Sequence, residues 1–153
     1  MMNEGLSNVY IDEIMTKFSK IYSGCYSADN FPKNLKPPFC VIINLSKHNK
    51  PGTHFITLLE TMNKTFYFDS FGILCFVNNI CEFIEKKQKP IYQKIKQIQH
   101  HNSLFCGFFC MFFCLYMERQ NYNLDTFYKV FSSNLKNNDY ICIKEIKKIM
   151  CTT

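Results

Sequence analysis

The chain has 153 residues, 47% hydrophobic and 20% charged, which fits a single domain over 1–153 and excludes intrinsic disorder. Five Gly and five Pro exclude a collagen-like or linker-like chain. The 16 Phe and 9 Tyr, with no Trp, predict a bulky aromatic core, and the net charge of +6 directs attention to where the lysines cluster.

In chain order, residues 7–21 read as an amphipathic helix, because Ile11, Ile14, Met15, Phe18 and Ile21 recur at helical spacing. Residues 25–38 read as a loop punctuated by Gly24, Pro32, Pro37 and Pro38. The continuous apolar run at 39–45 predicts a buried strand, and Lys47–Gly52 a turn. Residues 53–60 and 64–69 read as a hairpin around Met62 and Asn63. A helix is expected over 73–86 and a short strand over 91–99. Residues 106–118 are apolar all round, which predicts a buried helix. Two helices follow, about 124–133 and 141–150, with Asn123 and Asp139 as N-caps. This order predicts an α+β fold with a small, mainly antiparallel sheet flanked by helices.

The first twelve residues lack a basic start followed by an apolar stretch, and Leu104–Met117 is too short to span a bilayer, which takes about 20 residues. The expectation is a soluble chain inside a cell, not secreted and not in a membrane. Nine cysteines in a reducing compartment are expected to be mostly free thiols. Lys86, Lys87, Lys89, Lys94 and Lys96 form a run without an acid, and Lys144, Lys147 and Lys148 cluster near the end. Such patches can contact phosphates without reading sequence.

Cys106 stands where a loop gives way to the buried helix. Unpaired N–H groups and the positive dipole end at a helix start favour an anionic sulfur, and Gly107 lets backbone or substrate approach. A buried thiol of the core is the ordinary alternative. Of the four histidines, His54 begins a strand after Pro51-Gly52, stiff enough to aim into a cleft, whereas His48 lies in a polar loop. His100 and His101 with Cys106 suggest zinc, but no second ligand pair of usual spacing accompanies them. No metal is therefore expected. Cys106, Cys110 and Cys114 share a helix face and read as core. Asp69 ends an apolar strand beside the one carrying His54 and can either orient an imidazole or cap a turn. Gln99, just upstream of Cys106, can pair its amide with the Cys106 N–H around an oxyanion, or be merely solvated.

Together these residues form a known pattern. The run Gln99-x-x-Asn102-Ser103-x-x-Cys106-Gly107-x-Phe109-Cys110 resembles the active-site segment of the adenain family, the adenovirus cysteine endopeptidases. The Gln-to-Cys interval is the adenain one; desumoylating proteases of the same clan typically have it one residue shorter. Gly52-Thr-His54 looks like the family's Gly-x-His, and Phe68-Asp69-Ser70-Phe71-Gly72 resembles its acidic-x-Phe-Gly segment. Phe31-Pro32 and Cys40–Asn44 fall in similar order, so the resemblance covers roughly residues 9–120.

The resemblance implies a papain-like cysteine protease of the adenain/desumoylating type. It makes His54 the base, Asp69 its orienting carboxylate, Gln99 and the Cys106 amide the oxyanion hole, and Cys106 the nucleophile. Asp69 stands where human adenain types carry Glu. The implied substrates are viral capsid and core precursors cut near small, Gly-rich sites, by a monomer acting in the virion or host nucleus. The chemistry needs no cofactor, although family members use viral DNA and an activating peptide. The DNA expectation falls on Lys86, Lys87 and Lys89. The chain after Cys106 is much shorter than adenain's. The position of the family's peptide-linked cysteine falls near Gln88, with Cys75 and Cys81 the nearest thiols, both read as core residues of a helix. These departures resemble a compact homologue from an adenovirus-related DNA virus or a Maverick/Polinton-type element. A deubiquitinating or desumoylating isopeptidase of the same clan, and an idle DNA-associated virion protein, are the competing readings.

Overall fold

The apolar run at 39–45 lies near the middle of the molecule. The computed structural model describes residues 6–46 and 54–152, and within it Phe39–Asn44 is strand β2, buried at every position. A strand without polar alternation must be covered on both faces, and the two core clusters show that it is. Cys40 and Ile42 enter one cluster with Phe109–Leu115, while Phe39, Val41 and Ile43 enter a second with Ile80, Phe83 and Ile84.

The elements run α1 (Asn8–Phe18), β1 (Tyr22–Ser27), β2, β3 (Phe55–Glu60), β4 (Thr65–Phe68), α2 (Asn78–Lys86), β5 (Ile91–Tyr92), α3 (Cys106–Arg119), α4 (Leu124–Lys129) and α5 (Asn138–Cys151). Five strands form one sheet in the order β1-β2-β3-β4-β5. The class is α+β, as expected, but the sheet is mixed. β2–β3 and β3–β4 are antiparallel, whereas both edge strands pair parallel. Helix α2 covers one face and α1, α3, α4 and α5 cover the other.

Several boundaries differ from the sequence reading for identifiable reasons. α1 stops at Phe18, because Ser19 and the Lys20 N–H donate to the Glu118 carboxylate. Strand β1 occupies residues 22–24, to which the sequence reading assigns no element, and the start of the expected loop; as an irregular edge strand it carries no alternation, and Gly24 at φ 118° leaves no room for a Cβ beside the Tyr26 ring. Helix α2 begins only at Asn78, since Gly72 is left-handed and Val77 is extended. Cys75 is thus outside any helix, and Cys75 and Cys81 are half-buried, not core. Strand β5 keeps two residues of the expected nine, because β4 offers it only Thr65 and Phe66 as partners. α4 ends at Lys129, with Asn123 capping it through the Thr126 N–H. α5 begins at Asn138, so Asp139 is a first-turn residue and not the N-cap. The expected turn at 47–52, with His48 and Gly52, lies outside the described residues. Among the described residues no helix is long and apolar enough to cross a membrane.

Two of the lysines at 86–89 have an internal partner that the sequence reading does not assign. Glu60 ends β3 with 2% exposure, and a buried carboxylate needs a counter-charge. Lys89 Nζ lies 2.5 Å from its Oε1 and also donates to the Thr61 carbonyl, while Lys87 Nζ is 3.5 Å from Oε2. Lys87 further sits over the Phe83 ring at 4.6 Å. Two of the three lysines expected to face DNA therefore pair with an internal charge, and Lys86 alone of the three is exposed.

Lys89→Met is expected to lower unfolding stability by roughly 1–3 kcal/mol, because it strips a hydrogen-bonded partner from a buried carboxylate. Lys86→Met should stay within about 0.5 kcal/mol. Urea midpoints check this, and equal effects at the two positions would contradict the pairing.

Candidate active site

A hairpin brings its two outer ends together. β3 starts at Phe55 and β4 ends at Phe68, so His54 and Asp69 leave the sheet side by side at the open end. Thr57 pairs with Phe68, which sets Asp69 opposite Ile56 and diagonal to His54. His54 Nε2 lies 3.0 Å from Asp69 Oδ1. The same Oδ1 accepts the Phe71 N–H at 2.8 Å, and the Asp69 side chain is fully buried. In the neutral ring an acceptor-only carboxylate defines the tautomer, with the proton on Nε2 and the lone pair on Nδ1. The Phe71 ring packs on the imidazole with centroids 4.9 Å apart.

Helix α3 supplies the thiol. Cys106 is its first residue, half-buried, and no side chain caps that end. Gly107 makes the close approach of α1 and the residues before it possible, since a Cβ there would meet Leu6 Cβ at 3.2 Å and Ile11 Cδ1 at 3.4 Å. His54, Gln99 and Cys106 line one cleft of about 480 Å³ with Leu6, Phe71 and Leu104.

The electrostatics of His54 are unequal contests. Burial disfavours the imidazolium, but the Asp69 hydrogen bond, then Cys106, outweigh it and raise the imidazole to about 9. Cys106 acts on the ring although Nδ1 has no closed hydrogen bond.

Gln99 reaches the cleft through a frame the sequence reading missed. The Ile98 and Gln99 N–H groups both donate to the Ser70 carbonyl, at 2.9 and 3.1 Å. Ser70 Oγ donates to Gln99 Oε1 at 2.5 Å, and Gln99 Nε2 donates to the Ser103 carbonyl at 2.8 Å, with Ser103 Oγ at 3.3 Å. Ser103 Oγ in turn donates to Asp139 Oδ1 at 2.8 Å. Burial raises the Asp139 carboxyl against the opposing pull of Ser103 and His100. Next to it, the fully buried Asn138 donates to the Ile98 and Ser132 carbonyls. The start of α5 therefore holds both ends of the Gln99 segment. Ser103 was visible in the motif but without a role, and no local pattern marks a carboxylate 36 residues further on as its partner.

The four residues singled out from sequence thus meet at one place, two from the hairpin, one from the 93–105 connector and one from α3. The His100 and His101 rings pack against each other, tilted by 34° with centroids 4.2 Å apart, and among the described residues no group of three or more His, Cys, Asp or Glu is placed to hold a metal. No protein-family model matches the chain, and no curated protein matches it.

His54 should titrate near pH 9 by NMR, and Asp69→Asn should lower that midpoint. The sign for stability follows. A raised folded value means the His54 contribution is full below its unfolded value, about 6.5, and is lost as pH rises through about 9. An unshifted His54 midpoint would contradict the buried Asp69 partnership.

Proposed function

We propose that this chain is a papain-like cysteine endopeptidase resembling adenain, and that it cuts viral capsid and core precursors near small, Gly-rich sites during virion maturation. The observation that carries the reading is the orientation of His54. Its Nε2 is taken by buried Asp69, which leaves Nδ1 as the nitrogen that exchanges a proton in the cleft that holds Cys106 at a helix start.

In this reading His54, raised to about 9, holds on Nδ1 the proton given up by Cys106, and the sulfur attacks the scissile carbonyl. The helix start and the Cys106 N–H meet the developing oxyanion, with the Nε2 hydrogen of Gln99 that makes only the longer 3.3 Å contact as second donor. His54 then gives its proton to the departing amine, leaving an acyl-enzyme that water hydrolyses by the same base. Asp69 keeps the imidazole in the required tautomer throughout. Leu6, Phe71 and Leu104 narrow the cleft, which favours residues without bulk beside the scissile bond. The same cleft chemistry serves a Gly-Gly isopeptidase.

Cys106→Ala should abolish cleavage of Gly-containing precursor peptides while the protein stays folded, and His54→Ala should come close to that. Residual turnover in a clean Cys106→Ala preparation would remove the nucleophile assignment. Cleavage of ubiquitin-like substrates with no precursor cleavage would move the reading to the isopeptidase.

Gln99→Ala should lower kcat by on the order of 10²–10³ with little change in KM, the effect of losing one oxyanion donor. Gln97 is unsuitable as the control, because its Nε2 donates to the Gln99 carbonyl. Gln93, bonded to the Ile73 carbonyl, serves instead, and equal losses at Gln99 and Gln93 would misplace the hole. Asp139→Ala should reduce kcat by a smaller factor, since it releases Ser103 and so loosens Gln99.

A further inference from the structure

Cys75 and Cys81 face each other outside the candidate active site. The connector from Gly72 to α2 has no regular structure and exposes Ile73, Leu74 and Phe76. Cys75 lies within it and Cys81 lies in the first turns of α2. Their sulfurs are 2.7 Å apart, inside the roughly 3.5–4.0 Å at which unbonded heavy atoms of this size rest. Both are half-buried, and both line an open pocket of about 260 Å³ with Leu74, Ile84 and Ile91. A small solute can reach that pocket. Of the other thiols, Cys25 and Cys106 are also half-buried, Cys40, Cys110, Cys114 and Cys142 are fully buried, and Cys151 is exposed at the end of α5.

We propose that Cys75 and Cys81 are a modification site, a dithiol that closes to an intrachain disulfide by exchange with a low-molecular-weight disulfide such as oxidised glutathione. In the first step a thiolate of the pair attacks one sulfur of the reagent and expels one glutathione thiolate. In the second, the other protein thiol loses its proton, attacks the mixed disulfide at the protein sulfur and expels the second. Two protein thiols and one glutathione disulfide become one protein disulfide and two glutathione thiols, which take up the two protons. Burial, then the Cys81 sulfur, push the Cys75 thiol up to about 12. The bond would tie the connector that follows Asp69 and Phe71 to α2, a staple that does not pass through the cleft.

The test is to treat the full chain with oxidised glutathione until its mass spectrum stops changing, then map the peptides. The expected product has lost two hydrogens across Cys75 and Cys81 and holds no glutathione at either, while Cys151 retains one. A dithiol reductant should restore it. Cys75→Ser should trap glutathione on Cys81. Two outcomes would overturn the proposal: glutathione retained at Cys75 or Cys81 in the unsubstituted chain, or both thiols still free when Cys151 has fully reacted. The result is independent of Cys106 chemistry, so it stands or falls apart from the protease reading.

Discussion

Helix α3 has no face of its own to give to water. Phe109, Cys110, Phe112, Phe113, Cys114 and Leu115 are all fully buried, so the helix must be enclosed between the sheet and the other three helices of its layer. Phe68 of β4 stacks flat on Phe113 with centroids 4.5 Å apart, and Phe127 of α4 meets both rings edge-on. Aromatic packing of this kind fixes orientation as well as depth. The consequence at the helix start is positional. Cys106 cannot slide or rotate without moving rings that sit on the strand ending one residue before Asp69.

The sheet does the matching work on the other partner. Hairpin register alone places His54 beside Asp69, and burial then makes their bond strong, because a carboxylate without water leans on whatever donors it has. Glu60 shows the same rule at the far end of β3, where Lys87 and Lys89 are drawn in. One strand is thus bounded by two internal charge arrangements. The far one spends lysines that composition alone would assign to a polyanion. At the near end the charge is turned toward a cleft, where Asp69 holds Nε2 and Nδ1 is left without a closed hydrogen bond.

What was legible in the sequence was whatever depends on neighbours along the chain. The all-round apolar stretch at 106–118, the uninterrupted run of β2 and the hairpin could be read because burial imposes composition directly. So could the order of His54, Asp69, Gln99 and Cys106, which lies in short segments that resemble a known set. Strand β1 was not legible, since an edge strand with a bulge and Gly24 needs no alternation. The fate of Lys87 and Lys89 depends on Glu60, roughly thirty residues away and itself unremarkable in sequence. The Ser103–Asp139 bond and the approach of Cys75 to Cys81 are likewise products of tertiary placement, with no periodicity to announce them.

The central claim is that Cys106 is set apart from the other thiols by His54. The most direct measurement is the rate of iodoacetamide alkylation at each cysteine near pH 7, resolved by peptide mapping, with exposed Cys151 as the internal standard. The account predicts that half-buried Cys106 reacts faster than Cys151 by on the order of tenfold or more, since the thiolate is the reacting form, and that His54→Ala removes the advantage. Alkylation of Cys106 no faster than Cys151, or an advantage that survives His54→Ala, would contradict it.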